Sequence, residues 1–427
     1  MNAPWSPAGS AKTARPMAEP FPREGLPLEE ARARVLAALT PLTGSERLPL
    51  TACLGRVSAE ACAAAEAVPG FRAAIMDGYA IADAAAPAPG ERWRVVGRSA
   101  PGAPFPGELE PGTAIRILTG APLPETAGRV VPQELVVRDG DTLRLSGEAG
   151  PNPWIRGPEE EAAAGQRLLA AGIRLGPADL ARLASCGVAA LMVRAQPRLG
   201  LLISGDELVP AGEPRGPGTI WESNGTLLET LLARLGQPVA ERRLVPDQPE
   251  LLARALEGLA ERCDVVVSTG GVSAGDADWI RPLLAEQGEV AFWKLFLKPG
   301  RPFAFGRLGG RPFFGLPGNP VAAAITALQL LWPALQVLEG APPEPLPRVR
   351  VRLAAPLRRG AGRPELARAR LRVSAEGELL AVVEGSQASS RIGSLQGADL
   401  LLEIPAELGN LEAGQRLWAQ MLRLPIF

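Results

Sequence analysis

DVVVSTGGVSAGDAD, residues 264–278, is the stretch on which the fold class turns. Asp264 to Thr269 carries an unbroken apolar centre between polar ends, the pattern of a strand buried on both faces of a parallel sheet. Three glycines and two aspartates follow at once, so the strand ends in a loop able to bring backbone amides close to a ligand. Upstream, Leu199 to Ser204 reads as another such strand, followed by a helix from about Asn224 to Leu235, a strand near Val245 and a helix opened by Asp247. Downstream come a helix from Asp278 to Gln287 and the apolar run Val321 to Leu338. Strands alternating with helices predict an α/β domain with a mainly parallel sheet over residues 196–341.

Beyond a proline-rich linker, Ala341 to Pro347, four short strand patterns (Val349–Leu353, Ala369–Val373, Leu379–Val383, Leu400–Ile404) predict a small β barrel or sandwich at 342–427. Residues 63–161 read as short strands punctuated by Pro and Gly, an inserted β domain. Helical spacing at Leu28–Leu42 and at Gly176–Gly187, with Pro177 near its start, predicts a discontinuous helical linking domain, 21–62 with 162–195. Residues 1–20 read as a disordered N-terminus. The expected class is a multidomain α/β plus β protein, with no internal repeat.

A length of 427 residues exceeds one core, and 46% hydrophobic content with mixed charge is that of a folding chain. The net charge of -1 supplies no basic field for nucleic acid or an anionic membrane, so neither is an expected partner. The opening residues lack a secretory signal, and Val321–Leu335 reads as too short to span a bilayer because Gln329 and Pro333 interrupt it. The expected location is cytoplasmic. Cys53, Cys62, Cys186 and Cys263 form no C-x-x-C pair, which argues against structural zinc and disulfides and for buried thiols. Histidine is absent, removing the commonest general base and the imidazole ligands of zinc and copper. Any metal should be hard and oxygen-bound.

Ligands of open α/β sheets bind beyond the carboxyl ends of the strands, and three such loops carry unusual residues. Ser204-Gly205-Asp206-Glu207-Leu208 sets two carboxylates after a buried strand, though the same residues also suit a capping turn. In the second loop Gly270, Gly271, Ser273 and Gly275 precede Asp276 and Asp278. The loop is neither G-x-G-x-x-G nor a P-loop. Backbone donors beside carboxylates suit a phosphate bridged to magnesium; a glycine-rich turn with an Asp helix cap is the plainer alternative. Third, Pro317, Gly318, Asn319 and Pro320 lead into the apolar run, with Asn319 as cap and Pro320 at the first helical position. Such a helix start also favours an anion.

Lysine is nearly excluded: of 45 basic residues only Lys12, Lys294 and Lys298 are lysine, and the last two lie four apart. On one strand i and i+4 share a face, so the two ammonium groups would converge on a small oxyanion as point charges; two solvated surface lysines are the alternative. In the β domain Asp77 sits in Met76-Asp77-Gly78-Tyr79-Ala80, Thr119 ends another strand, and Ser389 lies in Gln387-Ala388-Ser389-Ser390; each alone has the standing of a plain turn.

Taken together, PGFRAAIMDGYA, RILTGAPLPE, SGDELVPAGEPRGPGTIWESNG, DVVVSTGGVSAGDAD, FWKLFLKPGRPFAFG and GLPGNPVAA, in this order, resemble the molybdopterin molybdenumtransferases, the MoeA family that includes the E domain of gephyrin. The resemblance covers nearly the whole chain after about Phe21. It implies a molybdenum insertase that takes adenylated molybdopterin and molybdate, with Mg2+, and releases AMP and the molybdenum cofactor. It further implies a homodimer in which the MDGYA-bearing domain of one subunit faces the α/β domain of the other. Expected partners are the upstream molybdopterin adenylyltransferase and the apoenzymes that receive the cofactor.

By motif, the family's functional residues fall on Asp77, Thr119, Glu207, Asp247, Asp278, Lys294 and Lys298. Gly205, Asp206, Gly270, Gly271, Ser273, Gly275, Asp276, Pro317, Gly318, Asn319 and Pro320 would meet substrate. Lys294, Lys298, Arg363 and Ser389 would take molybdate, Glu207 and Asp278 the metal, and Arg156 and Glu161 serve from the second domain. Three departures stand out: Ala73-Ala74-Ile75 replaces the family's Asn-Ser-Ala, Glu161 replaces an Asp, and Arg363-Pro364-Glu365-Leu366 replaces Arg-x-Glu-Phe. A non-catalytic module that binds molybdopterin or the finished cofactor, and a molybdopterin adenylyltransferase, are the alternative functions.

Overall fold

The computed structural model describes residues 25–271 and 279–423. Among the described residues two compact units emerge, one built from residues 45–193 and the other from residues 25–44 together with 194–423.

In the larger unit six strands form one sheet in the order Val239–Val245, Leu199–Ser204, Val265–Thr269, Arg311–Leu316, Ala304–Leu308, Gly288–Trp293. The first four pair in parallel, and Ala304–Leu308 is antiparallel to both of its neighbours, Arg311–Leu316 and Gly288–Trp293. The antiparallel edge is a feature the sequence reading did not separate from its lysine-bearing segment. Strand alternation feeds two cores. Leu201, Ile203, Val265, Val267, Phe314 and Leu316 face one side, with Leu228 and Leu232 of the helix Asn224–Arg234. Leu202, Val266 and Phe313 face the other, with Leu256 and Leu259 of Pro249–Arg262 and Leu284 of Ile280–Gln287. A sheet buried on both faces explains the lack of polar alternation in these strands. Each fully buried Leu or Phe contributes about 1.5–3 kcal/mol relative to leaving it exposed.

Two sequence expectations change here. The apolar run is not interrupted by Gln329 and Pro333. Pro320–Leu338 is one continuous helical span of 19 residues, 89% buried. A π-helical turn at Ala327–Leu331 lies within it. Pro333 falls near the start of the next helical segment, Trp332–Leu338. Gln329 donates to Gln420 at 2.6 Å and accepts from Arg32 at 2.9 Å, so its amide is satisfied inside the core. By length and composition this helix passes for a membrane span, but its burial marks it as the core helix. Second, Asp247 does not open the following helix. That helix starts at Pro249, whose fixed φ and missing N–H suit the first position, and Gln248 takes the cap position.

The helix Leu28–Ala37, grouped from sequence with 45–62, buries Ala31 and Val35 in the first of these cores. The same unit carries a closed five-stranded barrel of Arg348–Leu353, Leu379–Val382, Glu365–Val373, Leu400–Ile404 and Arg416–Met421. The last strand was not read from sequence, because Arg416 and Gln420 weaken its apolar signal. The barrel strand beginning at Glu365 pairs in parallel with Lys298, which brings Arg363 and Glu365 to the loops of the α/β sheet.

In the other unit a six-stranded sheet runs in the order Arg129–Pro132, Gly78–Ile81, Thr113–Ile117, Arg92–Ser99, Thr142–Leu145, Val136–Asp139. Ala80, Ile115 and Val130 pack on one face, and Tyr79, Trp93, Val131 and Leu143 on the other. A separate cluster gathers Leu183 of the helix Pro177–Ser185 with Cys53, Leu175, Leu191 and Val193. Among the described residues all four cysteines are free; Cys53, Cys186 and Cys263 are buried and Cys62 is partly exposed. Burial pushes the thiols of Cys53, Cys62 and Cys263 up, consistent with inert packing groups.

Candidate active site

A cleft of about 860 Å³ opens in the larger unit at the carboxyl ends of three parallel strands, Leu199–Ser204, Val265–Thr269 and Arg311–Leu316. Glu207, Asp247, Gly270, Gly271, Lys298, Pro317, Gly318, Asn319, Pro320, Arg363 and Ser389, all singled out from sequence, line it. Gly205 and Asp206 are not among its lining residues. Ser273, Gly275, Asp276 and Asp278 lie outside the described residues.

The backbone at Gly270 and Gly271 has φ of +95° and +63°, where side chains are strained. A Cβ on Gly270 would run into the backbone oxygen of Ser204, and one on Gly271 would come within 2.8 Å of Ile280. These two glycines let the chain turn against the neighbouring strand end.

Asn224, missed in the sequence reading, ties two site loops together. Its amide nitrogen donates to Thr269 Oγ1 and to the Gly318 carbonyl, both at 2.8 Å, while Thr269 Oγ1 donates to the Pro317 carbonyl at 3.1 Å. The only signal for it was its place in TIWESNG, in the same motif stretch as the SGDEL loop. Asn224→Ala leaves the buried Thr269 hydroxyl and the Gly318 carbonyl without this donor, and is expected to cost about 1–2 kcal/mol of stability by denaturant titration. Next to it, Glu222 accepts from the Gly225 amide at 2.7 Å and pairs with Arg242, fixing the start of the helix.

Acids gather on one loop pair. The Asp247 amide donates to Asp206 Oδ1 at 2.9 Å, which draws the Asp247 loop onto the strand-end loop that carries Glu207. Burial pushes the Asp247 carboxyl up; the Ser204 hydroxyl pulls it partly back, and the Asp206 and Glu207 charges push it further. Asp247 Oδ1 is buried with no close hydrogen-bond partner among the described residues. Such an oxygen fits a hard cation. Among the described residues there is no ready cage of three or more Asp, Glu, Cys or His. A magnesium ion bound mainly by substrate phosphates and one or two carboxylates needs none.

Bases gather on another. Lys298 Nζ lies 3.1 Å from Glu365 Oε1, and Glu365 Oε2 is held by Arg359 at 3.0 Å. Glu365 is 4% exposed, so one buried carboxylate positions a half-exposed ammonium at the cleft. Arg363 donates to the Leu297 carbonyl at 3.2 Å. Burial and then the nearby Arg301 charge lower its pKa, a crowding of like charge that an anion between them would relieve. Arg301, also missed from sequence, lines the same cleft.

Lys294 does not join this group. The strand ends at Trp293, and Lys294 takes a left-handed backbone at φ +79°. The expectation that one strand face brings both lysines together therefore fails, because i and i+4 alternation holds only along extended backbone. Lys294 is not among the residues lining the cleft. Asn319 occupies the helix cap position, but its side chain makes no capping hydrogen bond. The Val321 amide instead donates to the Ser389 carbonyl at 3.1 Å, so a barrel loop covers part of the helix start read as an anion site.

In the other unit, Asp77 Oδ1 accepts from both the amide and the hydroxyl of Thr119 at 2.8 Å. The Thr119 amide, above all, holds the carboxyl below the usual range; the Thr119 hydroxyl and the Arg116 charge add to this. The pair is thus a fixed, half-exposed anion. Arg156 pairs with Glu160 at 2.5 Å and stands opposite Ala73 in a two-stranded ribbon, next to the altered Ala73-Ala74-Ile75 loop. Glu161 bonds Arg182 at 3.0 Å.

Comparison with known proteins fits this geometry. The MoeA N-terminal region (domain I and II) matches residues 26–187, the probable molybdopterin binding domain 200–337, and the MoeA C-terminal region (domain IV) 350–419. The chain is 34% identical to the molybdopterin molybdenumtransferase of Haemophilus influenzae, over 91% of its own length and 97% of that protein. It is 31% identical to molybdopterin molybdenumtransferase 2 of Mycobacterium tuberculosis, over 90% and 96%. The crystal structure of a molybdopterin biosynthesis MoeA protein from Pyrococcus horikoshii superposes with a TM-score of 0.76 at 27% identity, covering 93% of this chain and all of that one. With its α/β cleft, its closed barrel and these matches along nearly its whole length, the chain belongs to the molybdopterin molybdenumtransferases, transferases of molybdenum cofactor biosynthesis.

Proposed function

We propose that this protein is a molybdenum insertase, converting adenylated molybdopterin and molybdate to the molybdenum cofactor and AMP in a Mg2+-dependent reaction. One observation carries the reading: a single cleft holds glycine-loop amides, the acids Glu207 and Asp247, and the cations Lys298 and Arg363. Few small molecules need all three; a nucleotide-linked phosphate ester with a metal oxyanion beside it does.

In this reading Gly270 and Gly271 let backbone donors approach the phosphates, and Pro317 to Pro320 shape the wall beside them. Glu207 and Asp247 face the metal, with Asp278 added through the family resemblance. Mg2+, when bound, neutralises phosphate charge as the nucleotide leaves. Lys298 and Arg363 hold molybdate close to the dithiolene, with Ser389 beside them. Lys294 stays in the assignment through the resemblance alone. Asp77, Thr119, Arg156 and Glu161 would act on the cleft of the other subunit of a homodimer. Most of the rate enhancement would come from positioning and charge stabilisation. Delivery from a molybdopterin adenylyltransferase and transfer to apoenzymes complete the proposal.

The test is incubation of the purified full chain with adenylated molybdopterin, Mg2+ and molybdate, following AMP release and cofactor transfer to an apoenzyme. The expected result is AMP release that requires both molybdate and Mg2+. Binding without any single-turnover release would make the protein a carrier, and ATP consumption with unmodified pterin would make it an adenylyltransferase.

A further inference from the structure

Beside the charged side chains of the cleft stand three of the exposed large apolar side chains: Ile220 and Trp221, each 51% exposed, and Ile392, 39% exposed. Exposed apolar groups scattered singly mean little, but three gathered on one ligand-sized cleft mark a surface that something covers. Trp221 is also held in place. Its indole N–H donates to the Glu213 carbonyl at 2.8 Å, and the Arg215 guanidinium lies over the ring, 4.2 Å from its centroid. Arg215 is itself fixed by the Thr219 carbonyl at 3.0 Å. The backbone of Trp221 pairs with Val209, and the neighbouring Ile220 amide donates to the Glu207 carbonyl at 2.8 Å. The loop carrying the ring is therefore bonded to the loop carrying a cleft acid.

One ring face is covered by the guanidinium and half of the residue stays open. An aromatic plane already ordered in this way loses little freedom when a second plane lies on it. We infer that Trp221, flanked by Ile220 and Ile392, is the stacking platform that seats a planar heterocycle of the substrate, a specificity contact for the ring rather than for its phosphates. The inference rests on the proposed substrate in one respect, that the ligand carries such rings. An adenine and a pterin each present a flat heterocyclic face, and the experiment separates them.

Titration calorimetry on the full chain, with wild type, Trp221→Ala and Trp221→Phe, would use three probes: AMP, a phosphorylated pterin without nucleotide, and molybdate. Aromatic stacking of a base is worth enough to predict that Trp221→Ala weakens at least one of the two ring ligands about fivefold or more. Trp221→Phe should stay within about twofold of wild type, and molybdate binding should not move. Loss of AMP alone assigns the platform to adenine; loss of the pterin alone assigns it to the pterin. Wild-type affinity of Trp221→Ala for both ring ligands overturns the inference while leaving the proposed function standing, and so does a parallel loss of molybdate, which would mark a collapsed loop. If the wild type binds neither ring ligand, the proposed function itself falls and takes the inference with it.

Discussion

Lys298→Ala is expected to lower the rate of molybdate-dependent AMP release by about 100-fold or more, the scale on which removal of a preorganised charge acts. The ammonium reaches the cleft on a short leash: Glu365 accepts from it at 3.1 Å while Arg359 occupies the other carboxylate oxygen. Removing the ammonium subtracts a cation and leaves Glu365 with one partner fewer. The loss should be concentrated in molybdate use, so that adenylated molybdopterin still binds. Lys298→Arg is the sharper test, since it keeps the charge but replaces a compact point donor by a planar fork. It too is expected to impair turnover. AMP release by Lys298→Ala at the wild-type rate in saturating molybdate would remove this lysine from the mechanism.

Gly270→Ala is expected to destabilise the larger unit by about 2–5 kcal/mol, from left-handed backbone strain together with an overpacked contact. The added methyl group meets the carbonyl of Ser204, part of the neighbouring strand, so relief requires moving two strand ends rather than one side chain. The third site loop runs alongside, since a Cβ built on Gly318 would stand 3.7 Å from the Gly270 Cα, and a shift at Gly270 is therefore felt there. Denaturant midpoints report the stability loss, and AMP binding reports the site. A variant as stable as wild type with normal AMP affinity would mean that the loop relaxes freely and that its geometry is not constrained by Ser204.

Much of the site was legible because loops after buried strands announce themselves. An apolar run ending in SGDEL, STGG or GLPGNP can only place those residues at a strand's carboxyl end, and all three loops meet in the cleft. Asn224, Arg301 and Trp221 carried no such mark. Asn224 looks like an ordinary helix start until its amide is seen bridging Thr269 and Gly318. The lysine pair misled for the opposite reason: its spacing was informative only if the chain stayed extended, and the left-handed turn at Lys294 broke that assumption. Likewise Asp247 resembled a helix cap, but Pro249 moved the helix start onward and freed its carboxylate for the acid cluster.

What this sequence determined alone was the set of buried strands and helices and the motifs at their ends, since these depend on hydrophobic period and on glycine and proline, which act over a few residues. Tertiary structure alone decided which side chains share a cleft. Lys298 meets Glu365 across a gap of 67 residues in the chain, and the Val321 amide meets Ser389 across 68. Those contacts exist because the barrel docks its first long strand beside the Lys298 segment, and a docking of that kind leaves no local pattern: its free energy is spread over many apolar contacts, none of which names its partner.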